Sequence, residues 1–207
     1  MLTESKKDDT LTALFVAMLV LSNILSVKLI SIGPFIAPGG IVCYAISFLI
    51  SDVINELYGK ASGKRAVRIG IIAQLLCTAL IALTVALPSA KTDTSTAFNM
   101  VLGVNFWFVL ASLVSFICAS TVDITIFHAV RKRLNGKGKW VWNNLSTITS
   151  QIIDTGLYVL IAFGIGQGFL FRADLAPMLW QMIISQIIVK VVLALADTPF
   201  FYALTRR

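Results

Sequence analysis

The chain is a succession of long apolar stretches separated by short polar loops. Six of these stretches reach the roughly 20 mostly apolar residues that a helix needs to span the hydrocarbon core of a membrane. They cover about residues 11–30, 40–57, 67–87, 106–128, 145–165 and 177–202. The pattern therefore predicts an all-α integral membrane protein in which residues 1–207 form a single domain of six transmembrane helices.

Lysine and arginine are concentrated in every second loop. They precede the first stretch, follow the second and the fourth, and end the chain, whereas the opposite loops carry Lys91 and Arg172. Because basic loops stay on the cytoplasmic side, both termini are predicted to be cytoplasmic. Tryptophans near the ends of the stretches are expected at the membrane interface: Trp107, Trp140, Trp142 and Trp180.

Composition agrees with a membrane protein. Hydrophobic residues make up 57% of the chain and charged residues 13%, against about 25% charged residues in an ordinary soluble domain. The net charge of +7 is explained by the basic loops, so no nucleic-acid partner is expected. Membrane lipid is therefore the expected environment of the apolar stretches.

Charged residues inside the apolar stretches are the candidates for function. On insertion scales each central charge costs about 2.5–3.5 kcal/mol, so these residues should face one another, water or a ligand. They are Asp52, Glu56, Asp123, Asp154, Lys190 and Asp197. Asp154 and Lys190 lie at similar depth near the membrane midplane, so they are predicted to pair if the fifth and sixth helices are neighbours.

The stretch "SDVINELYGK" ends the second apolar run nearer to the cytoplasm. Its residues Asp52, Asn55 and Glu56 have i, i+3, i+4 spacing and therefore share one helical face. Two acids four residues apart repel each other unless a positive or protonatable group lies between them. The shallow position favours an inner gate or a proton site over the substrate pocket, and Asp197 is assigned to the same group.

Neutral polar residues accompany these charges. They are Asn23 in the first stretch, Ser146, Thr147, Ser150 and Gln151 in the fifth, and Gln181 and Gln186 in the sixth. The fifth helix is nearly amphipathic in its first half and is predicted to line a cavity. Two interpretations remain: a static polar network that locks the helices together, and a substrate or ion pathway. The cost of inserting this many charges favours the pathway.

Motifs for membrane enzymes are absent from the sequence. It contains neither H-E-x-x-H nor G-x-S-x-G, its one histidine is His128, and "GKASGK" and "NGKGK" do not fit the phosphate-binding loop G-x-x-x-x-G-K-[ST]. Three cysteines lie in apolar runs without C-x-x-C pairing, which is typical of packing residues. The chain is therefore predicted not to be an enzyme and to need neither a cofactor nor a metal.

Five segments resemble the queuosine precursor transporter family of six-helix bacterial inner-membrane proteins. They are "SNILSVKL", "SDVINELYGK", "STVDITIF", "WNNLSTITSQIIDTGLYVLIAF" and "KVVLALADTPFFY", and they run in order from the first apolar stretch to the last. The resemblance implies import of a 7-deazaguanine base, 7-cyano-7-deazaguanine or its 7-aminomethyl form, for queuosine synthesis in tRNA. The family's motif positions correspond to Asn23, Lys28, Asp52, Glu56, Tyr58, Gly59, Asp123, Asn144, Ser146, Asp154, Lys190, Asp197 and Pro199.

A deazaguanine presents adjacent N–H donors that suit a carboxylate, and a carbonyl that suits a lysine or glutamine donor. Asp154 or Asp123 is predicted to accept from the base, Lys190 or Gln151 to donate to it, and Phe127 or Tyr158 to stack on it. The full predicted set of substrate-binding residues is Asn23, Asp123, Phe127, Asn144, Ser146, Gln151, Asp154, Tyr158, Gln186 and Lys190; the predicted gate or proton-coupling residues are Asp52, Asn55, Glu56 and Asp197.

Two modes of transport are consistent with the resemblance. One is a stand-alone carrier, passive or proton-linked, which the sequence favours. The other is the substrate-binding component of an energy-coupling-factor importer, which works with a separate ATPase module. The small residues Ala13 and Ala17 could serve such docking, although alanine pairs are frequent in membrane helices. A homodimer is a further partner consistent with the sequence.

Overall fold

A computed structural model describes residues 4–26, 28–32, 35–90, 92–103 and 106–206. Its helices are α1 Glu4–Leu25, α2 Ile41–Ala86, α3 Thr92–Leu102, α4 Phe106–Arg133, α5 Lys139–Val159 and α6 Ala176–Leu204. A π-helical turn, Leu160–Ile165, continues α5, and a 3₁₀ turn, Phe169–Phe171, follows it. Within these described ranges five helices are long and apolar enough to cross a membrane, namely α1, α2, α4, α5 with its π-helical turn, and α6. The protein is an all-α multi-pass membrane protein.

Helix α2 contains two of the predicted stretches and bends between them. It is 46 residues long, and Gly59 inside it has φ 81° and ψ −179°, which is not a helical conformation. This region of backbone space is accessible almost only to glycine because it lacks a Cβ atom. The stretches 40–57 and 67–87 lie on either side of Gly59, so the residue separates two helical parts.

Replacing Gly59 with alanine is expected to lower the free energy of unfolding by about 1–3 kcal/mol, because alanine is strained at this φ and ψ. Gly156 in α5 is the matched control. At both positions an added Cβ atom meets no described atom within 4 Å, and Gly156 lacks the positive φ. Gly156→Ala should therefore leave stability unchanged or raise it by up to about 1 kcal/mol. Unfolding of the detergent-solubilised variants by heat or denaturant measures both, and equal effects would contradict the argument.

The first helix is shorter than the sequence pattern indicates. It ends at Leu25, and the predicted continuation to residue 30 is wrong because Leu29 and Ile30 belong to a β-hairpin. The hairpin consists of β1 Leu29–Ile32 paired antiparallel with β2 Phe35–Pro38. A short apolar run does not by itself distinguish a strand from a helix, so the apolar pattern assigned these residues to the first helix.

Gly40 lets the start of α2 approach the end of α1. A Cβ atom at this position would lie 1.9 Å from the carbonyl oxygen of Ser22, so any side chain would force the two helices apart. This close approach brings together the two ends of the loop that contains the hairpin.

A second element missed by the apolar pattern is α3, a short helix in the polar segment between the third and fourth stretches.

Large apolar side chains cover the outer surface of the bundle. On the second part of α2 the exposed side chains are Ile72, Leu76, Leu80 and Leu83, which recur at helical spacing, and Leu145 and Ile152 are exposed on α5. Aspartate, asparagine, serine and threonine side chains are among the most buried groups of α2, α4 and α5. This distribution fits a lipid environment, in which the outside of the protein is apolar and polar groups must find partners inside.

Five chain segments meet at one end of the bundle, which we call the basic end. The Arg65 guanidinium, just after the bend of α2, pairs with Asp8 near the start of α1 at 2.9 Å. Arg131 near the end of α4 and Lys139 at the start of α5 both pair with Glu56, just before the bend. Thr205, directly after α6, also contacts Lys139. Both ends of the described chain therefore lie at the basic end.

Candidate functional site

Helix α5 carries a buried polar stripe that contacts three neighbouring helices. The stripe consists of Asn144, Thr147, Ser150, Gln151 and Asp154, all of them buried. Their spacing of three and four residues places them on one helical face. Exposed Leu145 and Ile152 lie on the opposite side, so α5 is amphipathic with its polar face inward, as the sequence predicted.

An ion pair connects α5 and α6 in the middle of the membrane-spanning region. The Lys190 ammonium Nζ lies 2.7 Å from Asp154 Oδ2, and the two side chains are 12% and 6% exposed. The same ammonium lies 4.8 Å from the centre of the Tyr44 ring of α2. The pairing predicted from depth is present, and cation–π contact with Tyr44 strengthens the hold on Lys190.

A small pocket lies beside this ion pair, between α2, α5 and α6. Its polar walls are Thr147 and Gln151 of α5 and Lys190 and Asp197 of α6; its apolar and aromatic walls are Ile41, Tyr44, Ala45, Phe48, Leu193 and Ala194. The cavity volume is about 10 Å³, enough for about one water molecule. A planar base would enter only after these helices separate, so the pocket is closed in this conformation.

Two unpaired polar groups face this region. The Gln151 Oε1 atom is buried and accepts no hydrogen bond from the described residues. Across the part of the chain that the structure describes, Asp197 has no ion-pair partner at 4 Å or less, whereas Asp154 and Glu56 have theirs. Buried polar groups are usually satisfied in folded proteins, so the pocket presents an acceptor amide and a carboxylate with capacity for a ligand.

Two aspartates meet a turn closer to the basic end. Asp52 of α2 accepts a hydrogen bond of 2.8 Å from Thr147 Oγ1, and Asp123 of α4 accepts one of 3.3 Å from Ser150 Oγ. The donors are one turn apart on α5, so the two carboxyl groups lie along the same face of this helix. The structure thus joins a predicted gate residue and a predicted substrate residue in one pair.

Glu56 is the centre of a second cluster, which we call the basic-end cluster: Glu56, Arg131, Lys139, Trp142 and Thr205. The Glu56 carboxylate is 3.2 Å from Arg131 Nη1 and 3.3 Å from Lys139 Nζ, and the Trp142 indole N–H donates to it at 3.3 Å. Lys139 also donates to the Thr205 hydroxyl and carbonyl at 3.0 and 3.1 Å. These contacts tie α2, α4, α5 and the end of α6 together.

The remaining predicted residues lie apart from the pocket walls. Asn23 of α1 accepts from Ser112 of α4 at 3.2 Å. Asn144 accepts from Thr198 at 3.1 Å, and Ser146 donates to the Asn143 carbonyl. Asn55 Oδ1 is 3.2 Å from His128 Nε2. Gln186, half-buried, lies one turn before Lys190 on α6.

Neither predicted stacking residue lines the closed pocket. Phe127 is fully buried and packs against Val53, Trp142 and Phe201, so its ring faces are already covered. Tyr158 packs beside the Phe108 ring, with the ring centres 6.3 Å apart, near the π-helical turn. Tyr44 and Phe48 occupy the wall instead, and their rings lie 5.1 Å apart.

Several of these residues escaped the sequence reasoning. Tyr44 and Phe48 stand in an apolar run where an aromatic residue gives no sign of lining a pocket. Trp142 was expected at the interface, but it is 1% exposed and donates to Glu56. The position of Glu56 in an apolar stretch was a signal that could have found Lys139 and Arg131, because a buried acid requires a cation nearby.

Comparison with known proteins identifies the class of protein as a membrane transporter. Residues 38–204 match the model of a family described as "Putative vitamin uptake transporter", and the chain belongs to this family. The chain is also 30% identical over 187 residues to a protein of Bacillus subtilis (strain 168) named "Probable queuosine precursor transporter". That similarity covers 89% of this chain and 78% of the relative. A search of solved structures found no match.

Proposed function

We propose that the protein imports a queuosine precursor, 7-cyano-7-deazaguanine or 7-aminomethyl-7-deazaguanine, into the cytoplasm for queuosine synthesis in tRNA. The observation that carries the proposal is the 30% identity over 187 residues to the relative bearing that name. The five resembling segments supply most of the residues of the pocket and of the aspartate pair, which agrees with a shared substrate. The closed pocket beside Lys190 and Asp154 is the proposed binding site.

The proposed topology has six crossings of a bacterial inner membrane within one domain, residues 1–207. The bend at Gly59 divides α2 into two crossings, and four further helices supply the others. The basic end is the cytoplasmic end, because it carries the loops richest in lysine and arginine. The two ends of the described chain lie at this end, so both termini are proposed to be cytoplasmic.

The base would be held by polar groups of α5 and α6 and by aromatic rings of α2. We assign Asp197 as the acceptor for the adjacent N–H donors of the base, because it lines the pocket without an ion-pair partner among the described residues. Lys190 donates to the base carbonyl, the unpaired Oε1 atom of Gln151 accepts an N–H of the base, and Tyr44 and Phe48 provide flat apolar contact. Asp154 holds the Lys190 ammonium in position.

The two modes of transport predict different behaviour of the purified chain. Reconstituted into liposomes without ATP or any partner, a stand-alone carrier takes up labelled 7-cyano-7-deazaguanine. A binding component of an ATP-driven importer binds the base and gives no flux. The acids buried at the centre of the bundle favour the carrier, since they provide coupling groups within the chain itself. Uptake above protein-free liposomes is expected.

Asp197→Asn tests the assigned acceptor. Losing a charge-assisted hydrogen bond costs about 1.5–3 kcal/mol, so affinity for the base should fall by about 10–100-fold. Asp174→Asn, which changes an exposed acid in the loop before α6, is the matched control and should bind normally. Calorimetry or a filter assay with labelled base measures both variants. Normal affinity of Asp197→Asn would show that another group accepts from the base.

A further inference from the structure

Asp52 and Asp123 form a buried carboxyl pair at the junction of α2, α4 and α5. Each residue is 1% exposed, and the two carboxyl groups accept hydrogen bonds from hydroxyl groups that lie one turn apart on the same face of α5. One oxygen of each group is satisfied, Asp52 Oδ2 by Thr147 and Asp123 Oδ1 by Ser150. The pair is therefore held in place by two adjacent turns of α5.

The other two oxygens lack a donor. Asp52 Oδ1 and Asp123 Oδ2 are fully buried and accept no hydrogen bond from any residue that the structure describes. Two ionised carboxylates held on neighbouring turns of one helix face repel each other where the dielectric constant is low. A proton on one of them turns it into a donor that the other can accept, as in other carboxyl pairs that share a proton.

The charged groups on neighbouring helices do not neutralise the pair. From α6, Asp197 supplies no positive charge, and Lys190 is engaged by Asp154. On α4, His128 contacts Asn55. The other charged groups nearby are already in ion pairs: Arg131 and Lys139 with Glu56, and Asp8 and Asp9 of α1 with Arg65.

We propose that Asp52 and Asp123 together bind one proton, and that this proton is the coupling ion of transport. The proposal rests on the proposed function as a carrier. Among the described residues no group of three or more carboxylate, histidine or cysteine ligands converges, so no site for a transition metal is built there. The proton supplies the donor that both orphaned oxygens lack.

Thr147 connects the proton site to the base pocket. Its hydroxyl donates to Asp52, and its side chain also lines the pocket between α2, α5 and α6. With the proton bound, α2 and α4 pack together on α5. When the proton leaves, two negative charges face each other across the α2–α4 contact, and their repulsion favours separation of these helices. One proton would accompany each base inward.

Infrared spectroscopy tests proton occupancy without any substrate. In an Asp197→Asn background, which removes the other unpaired acid of this region, the purified protein in lipid at neutral pH should show the carbonyl stretch of a protonated carboxylic acid, and this band should disappear in both Asp52→Asn and Asp123→Asn. Each substitution is nearly isosteric and offers an amide donor to the remaining carboxylate, so at least one is expected to fold. Asp174→Asn should retain the band. A band that persists in both pair variants overturns the proposal.

Transport in liposomes tests coupling. A gradient of one pH unit, acidic outside, can raise accumulation of a neutral base about tenfold if one proton accompanies each molecule. For the native chain we expect this stimulation, and for Asp123→Asn a ratio of uptake with and without the gradient close to one. Native uptake that ignores the pH gradient, or follows a sodium gradient instead, overturns proton coupling. Absence of any binding or uptake of the base would instead refute the proposed function, and the infrared result would still decide the shared proton.

Discussion

Replacing Lys190 with methionine is expected to abolish uptake of the precursor and to destabilise the protein. The ammonium is the partner of Asp154, whose side chain is 6% exposed. Removing one member of a buried ion pair leaves the other charge uncompensated and costs about 3–5 kcal/mol. The pocket also loses the donor proposed for the base carbonyl. Unfolding in detergent measures the first effect, and uptake into liposomes measures the second.

The double variant Lys190→Met, Asp154→Asn separates these two effects. Because it removes both charges, it should recover most of the lost stability, whereas uptake should stay at background. Arg172→Met, which removes an exposed cation from the loop before α6, is the matched control and should behave as the native chain. A stable double variant that transports normally would mean that the ion pair serves packing.

Replacing Glu56 with glutamine is expected to open the basic end of the bundle. The carboxylate receives contacts from Arg131, Lys139 and Trp142. Glutamine keeps the size but loses the charge, and each charge-assisted hydrogen bond is worth about 1.5–3 kcal/mol, so losing one shifts the closed–open equilibrium by about 10–100-fold. The pocket should then become accessible from the cytoplasm without substrate.

Accessibility can be measured by labelling a cysteine in the pocket wall. In a chain without its native cysteines, Ala194→Cys places a thiol in that wall, since Ala194 lines the pocket and is 4% exposed. A membrane-impermeant maleimide, applied to the cytoplasmic face of inverted vesicles, should react faster when Glu56→Gln is also present. Asp8→Asn breaks an ion pair at the same end but outside the basic-end cluster, so it should leave the rate unchanged. Equal rates in all three proteins would contradict an inner gate at Glu56.

The sequence predicted the features that follow from membrane insertion. Apolar length located the helices, and the cost of buried charge pointed to Asp154 and Lys190 as partners, which the structure confirms. The nearly amphipathic first half of the fifth stretch also identified the inward polar face of α5. Each of these inferences concerns one helix or two helices adjacent in sequence. The depth of a residue in the membrane and the periodicity of the pattern are sufficient to predict such features.

Relations between helices distant in sequence could not be predicted in this way. Asp52 and Asp123 share a site because α2 and α4 both pack on α5, and hydropathy does not reveal which helices are neighbours. Tyr44 lines the pocket for the same reason. The hairpin after α1 was missed because its strands are as apolar as a membrane span, and the bend at Gly59 depends on a backbone angle.

The inward polar face of α5 also has a consequence for biogenesis. Its most apolar window has a mean hydropathy of 1.5, compared with 1.9 for α6, and Asp154 adds an insertion penalty of about 2.5–3.5 kcal/mol at a central position. The cation that offsets this penalty, Lys190, is synthesised 36 residues later. Helix α5 is therefore expected to leave the translocon together with α6, as a helical hairpin that carries its own counter-ion into the lipid.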